Sequence, residues 1–126
     1  MAAILVVDDD KSIQGLVSTM LEAEGHRVLT AANGAEAVAV YRSYAGQIDL
    51  VVTDMNMPVM DGAEEIVRIR MTNPAAKVIC MTGDSEDRCP EGVMLLSKPF
   101  SVERLFQAVD GLLRPSHELR FSEIPI

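Results

Sequence analysis

Ile4-Leu5-Val6-Val7-Asp8-Asp9-Asp10 is the stretch that decides the fold of this chain. Four apolar residues in unbroken succession suit a strand buried on both faces, the kind found in parallel sheets covered by helices. Three carboxylates follow immediately, so the strand ends in a cluster of negative charge. Three later runs repeat the pattern: Leu50 to Val52 stops at Thr53 and Asp54, Val78 to Met81 at Thr82, and Val93 to Leu96 at Ser97 and Lys98. If all four are parallel strands of one sheet, their stops share one edge, and ligands of open α/β sheets bind outside that edge.

Helical spacing fills the gaps between the runs. Ile13, Leu16, Val17, Met20 and Leu21 form one apolar stripe between Ser12 and Glu24, with Gly25 at the C-cap position. Arg27 to Ala31 predicts a short strand. Asn33 precedes Glu36 by capping-box spacing, and Ala37, Val38, Tyr41 and Ala45 supply the buried side of a second helix. Asp49 to Asp54 returns to strand character; Pro58 and Asp61-Gly62 mark a loop. A third helix is expected from Ala63 to Met71, with Ile66 and Ile69, before Asn73-Pro74. Lys77 to Met81 is the fourth strand. Ser101 is placed as the N-cap of a last helix in which Val102, Leu105, Phe106, Val109, Leu112 and Leu113 keep helical spacing up to Arg114-Pro115. Between Gly83 and Gly92 four acidic residues, Pro90 and the lack of an apolar stripe argue against a full helix. The expected fold is a doubly wound α/β sandwich, βα repeated five times with a shortened or missing fourth helix and right-handed crossovers. The expected domain covers residues 1–115, with 116–126 an aperiodic tail or linker.

Composition narrows the function. A chain of 126 residues supports one domain with a real core. The net charge of -8 and the lack of a Lys/Arg cluster argue against a nucleic-acid surface. Cys80 and Cys89 fit no metal spacing, and Cys80 sits in an apolar run as a small buried thiol. No apolar stretch approaches a membrane span, and apolar periodicity from Ile4 leaves no room for a signal peptide, so the expected localisation is cytoplasmic. His26 and His117 are isolated and expected at the surface.

The strand ends specify a chemistry. Asp8, Asp9 and Asp54 would lie a few ångströms apart, where like charges repel by about 4 kcal/mol at an effective dielectric near 20 unless a cation intervenes. Oxygen donors without His or thiolate select a hard ion such as Mg2+. Lys98, a point charge on a long stem, suits a phosphoryl oxygen or a carboxylate. Asp10 is better used as the cap of the first helix, and Asp61 as a turn residue. Two reactions remain open: an Asp carboxylate becomes an aspartyl phosphate, or the carboxylates hold a metal that activates water. Asp54 stands alone on its strand and is the better nucleophile, with Lys98 holding one phosphoryl oxygen and Thr82 donating a hydrogen bond to another.

As a set, Ile4 to Asp10, Asp54-Met55-Asn56-Met57-Pro58-Val59-Met60-Asp61-Gly62, Met81-Thr82-Gly83 and Lys98-Pro99-Phe100 resemble the response regulator receiver domains of two-component phosphorelays, over residues 4 to 114. The resemblance implies a flavodoxin-like five-stranded sheet in the order 2-1-3-4-5. It implies phosphorylation of Asp54 by a sensor histidine kinase or histidine phosphotransfer protein. Mg2+ would be bound by Asp9 and Asp54 and the backbone carbonyl of Asn56, with Asp8 acting largely through water, and the peptide before Pro99 would be cis. Such a protein catalyses only its own phosphorylation and dephosphorylation; Asn56 and Asp84 would border the path of attacking water.

Two departures stand out. Fifteen residues separate Thr82 from Lys98, fewer than the family's usual pattern, and the switch position that often carries an aromatic is Leu95. A Mg2+-dependent phosphohydrolase is the rival enzyme, but the acid/base Asp it needs two residues past the nucleophile is Asn56. A receiver-like interaction module with a vestigial pocket conflicts with the full set of Asp9, Asp54, Thr82 and Lys98. A flavodoxin-like cofactor binder lacks its phosphate loop, which Asp8 to Asp10 replace.

Overall fold

Val6 is flanked by Thr30 of one neighbouring strand and Val52 of another, both running in its own direction. The computed structural model describes residues 2–55, 57, 60, 62–83 and 90–113. Five parallel strands, β1 (Ala3–Val7), β2 (Arg27–Ala31), β3 (Leu50–Asp54), β4 (Val78–Thr82) and β5 (Met94–Ser97), form one sheet in the order β2-β1-β3-β4-β5. The helices α1 (Lys11–Ala23), α2 (Gly34–Ser43), α3 (Gly62–Thr72) and α4 (Val102–Leu113) cover it.

Both faces of the sheet are buried, which is why the strand runs are continuously apolar. Ile4, Val6, Val52, Ile79 and Met81 pack with Val17 and Leu21 of α1 and Leu105 and Val109 of α4. Leu5, Val7, Val51 and Cys80 pack with Val38 and Tyr41 of α2 and Ile66 and Ile69 of α3. Cys80 is the buried thiol expected of it.

Local signals act as their chemistry dictates. Asp10 caps α1 by accepting from the amides of Ser12 and Ile13 at 2.9 and 3.3 Å. Asn33 Oδ1 accepts from the Glu36 amide at 2.8 Å, and Glu36 returns a bond to the amide of Ala32 rather than to that of Asn33. Ser101 Oγ accepts from the Arg104 amide and caps α4. Between β4 and β5 the described residues, Gly83 and 90–93, form no helix.

Three expectations fail for physical reasons. Ala45, expected on the buried side of the second helix, lies past the end of α2 at Ser43 and is exposed. The apolar stripe of α1 is wider than its contact with the sheet, so Val17 and Leu21 are buried while Leu16 is left 54% exposed. His26 is not a free surface residue: it is half-buried, and its Nδ1 accepts from the Ala2 amide at 3.2 Å. No helix among the described residues is long and apolar enough to cross a membrane.

Candidate functional site

The carboxyl ends of β1, β3, β4 and β5 meet because the strands are parallel and nearly in step. Val7 pairs with Thr53, Asp54 with Met81 and Thr82 with Ser97, so Asp8, Asp54, Thr82 and Lys98 follow one another along the sheet's edge. The Lys98 amide donates to the Thr82 carbonyl at 2.7 Å, extending the β4–β5 pairing one residue into the site.

The three consecutive aspartates divide into three roles. Asp8 is wholly buried; its Oδ1 accepts from the Asp10 amide at 2.9 Å, and Oδ2 lies 3.7 Å from Lys98 Nζ. Asp9 is exposed at the rim, and Asp10 turns away to cap α1. Gln14 Nε2 donates to the Ala31 carbonyl at 2.9 Å and the Asp8 carbonyl at 3.3 Å, tying the ends of β1 and β2. Burial pushes the Asp8 carboxyl above its ordinary range, the Asp10 amide opposes this, the charges of Asp54 and Asp9 add to it, and Lys98 pulls the other way.

Asp54, at the end of β3, is nearly buried, with Oδ2 3.5 Å from Lys98 Nζ. The ammonium thus bridges two carboxylates while its stem stays 27% exposed toward solvent. Asp8, Asp9 and Asp54 each present an oxygen, and the three lie within 4.8 Å of one another. One oxygen of this group, Asp8 Oδ2, is buried and takes no hydrogen bond among the described residues. An all-oxygen, highly anionic donor set with an unsatisfied buried oxygen fits a hard divalent ion such as Mg2+. The Lys98–Pro99 peptide is cis. Asn56 and Asp84, expected beside the reacting group, lie outside the described residues.

Leu95, the switch position without an aromatic, pairs with Cys80 on β4 and packs against the α2–α3 side of the core. Gly62 begins α3 directly beneath the site: a Cβ there would lie 2.8 Å from the Asp54 carbonyl oxygen and 2.9 Å from Met55 Cα. Gly62 therefore carries a close-approach requirement, beyond the turn that Asp61-Gly62 suggests by composition.

Sequence reasoning missed Glu65. This α3 residue is wholly buried, shares a 2.7 Å hydrogen bond with Thr53 Oγ1, and has its Oε2 without a hydrogen bond among the described residues. Burial pushes its carboxyl up to about 8; the Thr53 hydrogen bond opposes the rise and the Asp54 charge adds to it. The signal was present, because Glu65 stands four residues before Ile69 on the buried stripe of the helix.

Comparison with known proteins agrees with this edge. The response regulator receiver domain family matches residues 4–110. The chain belongs to that family. Among the receivers it resembles, the transcriptional regulatory protein GlrR of Escherichia coli is 35% identical over 91% of this chain, which spans only 27% of that protein's length. The sporulation initiation phosphotransferase F of Bacillus subtilis is 34% identical, with 87% of this chain and 92% of that protein covered. A response regulator receiver domain protein from Clostridium thermocellum superposes with a TM-score of 0.87 at 31% identity, over 94% of this chain and 99% of the other. This receiver is therefore a phosphorelay signalling domain of the two-component type.

Proposed function

We propose that Asp54 is the phosphoacceptor of this receiver and that its donor is a phosphohistidine on a sensor kinase or histidine phosphotransfer protein. One observation carries the reading: Lys98 Nζ sits 3.5 Å from Asp54 Oδ2 and 3.7 Å from Asp8 Oδ2, beside three carboxylates grouped within 4.8 Å. Asp54 attacks the phosphorus, the P–N bond breaks, and the imidazole leaves with its bonding pair. Lys98 moves from carboxylate to phosphoryl oxygen, and the Thr82 hydroxyl donates to a second oxygen. Asp8, Asp9, Asp54 and the Asn56 carbonyl would hold Mg2+, which supplies positive charge against the phosphoryl oxygens. Positioning and charge neutralisation make up most of this reaction, so the protein needs no further acid or base. Its catalysis is limited to its own phosphorylation and dephosphorylation, and Asn56 and Asp84, outside the described residues, are the positions whose side chains would tune attack by water.

A protein donor must rest against the rim of the site. An apolar groove of about 340 Å³ lined by Ile13, Leu16, Val17, Met20, Pro99 and Phe100 borders Lys98. The proposed receiver unit covers residues 1–115; residues 114–126, with the expected tail at 116–126, lie outside the described residues. Incubation with acetyl phosphate and Mg2+, read by intact mass, should add one phosphoryl group to the wild-type chain and none to Asp54→Asn. No addition to the wild-type chain would overturn the reading.

A further inference from the structure

We propose that Glu65 is a positioning residue for Asp54: acting through the Thr53 hydroxyl, its carboxyl fixes the carboxyl end of β3 and with it the direction of the phosphoacceptor. The inference rests on the reading of Asp54 as phosphoacceptor and adds a residue on the opposite face of the same strand.

Packing alone gives no account of Glu65. It lies at zero exposure on the stripe that carries Ile66 and Ile69, where an apolar side chain of similar volume would avoid the desolvation of a carboxyl. What the carboxyl adds is a directed contact to β3. Side chains alternate along a strand, so Thr53 faces α3 with Val51 while Asp54 is turned the other way.

The hydrogen count favours a continuous chain. The Thr53 hydroxyl carries one hydrogen and meets two oxygens, Glu65 Oε1 at 2.7 Å and the Asp54 carbonyl at 3.2 Å. A neutral Glu65, the state its burial favours, donates to Thr53 Oγ1, and Thr53 donates onward to the Asp54 carbonyl. Both contacts are then filled, and the shorter has the length of an O–H···O bond. Gly62 closes the same unit one turn earlier, because the start of α3 lies against that carbonyl with no space for a Cβ. The acceptor's backbone is thus held from behind by α3, while Lys98 meets its side chain from the front.

The test measures phosphorylation by acetyl phosphate against donor concentration for wild type, Glu65→Gln, Glu65→Leu and Thr53→Val. Glu65→Gln retains a donor and an acceptor and should keep most of the wild-type maximal rate. Glu65→Leu should lower the maximal rate by about tenfold, the scale of a sub-ångström misplacement, with the half-saturating donor concentration little changed. Thermal melts should show Glu65→Leu no less stable than wild type, which separates positioning from a folding defect. Should Glu65→Leu fail to fold, Thr53→Val removes the middle link and carries the same expectation. A wild-type rate in the leucine variant, or in the valine variant where that one decides, overturns the inference, as does a glutamine variant impaired as far as leucine. An unlabelled wild-type chain would instead overturn the phosphoacceptor reading and the inference together.

Discussion

Lys98 Nζ stands 3.5 Å from Asp54 Oδ2, and the same nitrogen reaches Asp8 Oδ2 at 3.7 Å, so one ammonium offsets carboxylates from two other strands. Asp8 is wholly buried, and among the described residues removing the cation leaves its charge with one backbone amide. Lys98→Ala should therefore lose about 1–3 kcal/mol of stability in chelator, as measured by urea unfolding. Added Mg2+ should restore more stability to Lys98→Ala than it gives the wild type, because the ion then replaces the missing positive charge. Equal Mg2+ responses in the two proteins would count against the shared-cation arrangement.

Mg2+ binding has its own thermodynamic signature. Asp9 is exposed, whereas Asp8 and Asp54 both face the Lys98 ammonium, so the Asp9 carboxylate is the member of the triad freest to serve a metal. Mg2+ at one hundred times its dissociation constant should stabilise the wild-type chain by about 2.7 kcal/mol. Asp9→Asn should lose most of that increment and be at least as stable as wild type without metal, because one of three clustered like charges is gone. A melting series over Mg2+ concentration, with Ca2+ for comparison, checks both statements.

The site's outer layer was legible in the sequence because each member ends an apolar run: Asp8, Asp54, Thr82 and Lys98 are placed by the same burial pattern that makes their strands. Helix α1 was legible in extent and only partly in burial, since spacing fixes which residues share a face and says nothing of how much of that face the sheet covers. Leu16 is the result. The inner layer was harder to see. Gln14 looks like an ordinary helix-surface residue, and Glu65, though its spacing from Ile69 puts it on the buried stripe, has no visible purpose until the tertiary fold brings the Ala31 carbonyl to the one and the Thr53 hydroxyl to the other.

Gly62 offers a steric test of the junction between β3 and α3. A methyl at this position meets the Asp54 carbonyl oxygen at 2.8 Å and Met55 Cα at 2.9 Å, both backbone atoms that cannot swing aside. Gly62→Ala should cost about 1–3 kcal/mol and slow phosphorylation of Asp54 through displacement of its backbone. Gly15, with nothing within 4 Å of its added Cβ, is the control: Gly15→Ala in the middle of α1 should stabilise by a few tenths to about 1 kcal/mol. Urea unfolding of both variants and their labelling by acetyl phosphate read the contrast.

Glu65 gives the chain an unusual pH dependence. Its ordinary value of 4.5 is raised in the folded protein to about 8, chiefly by burial, so between these values the folded state holds a proton that the unfolded chain has released. Protons then bind more strongly to the folded state, and stability must fall as pH rises across this window. The contribution is fully present below pH 4.5, declines by at most about 1.4 kcal/mol per pH unit, and levels off above about pH 8. Asp8, also raised by burial, slopes in the same direction, so the quantity to measure is the difference between wild type and Glu65→Gln in chelator. That difference should change by about a few kcal/mol in favour of the glutamine variant from pH 5 to pH 8. A difference that stays flat across those pH values would show that the Glu65 carboxyl ionises in the folded chain as freely as in the unfolded one.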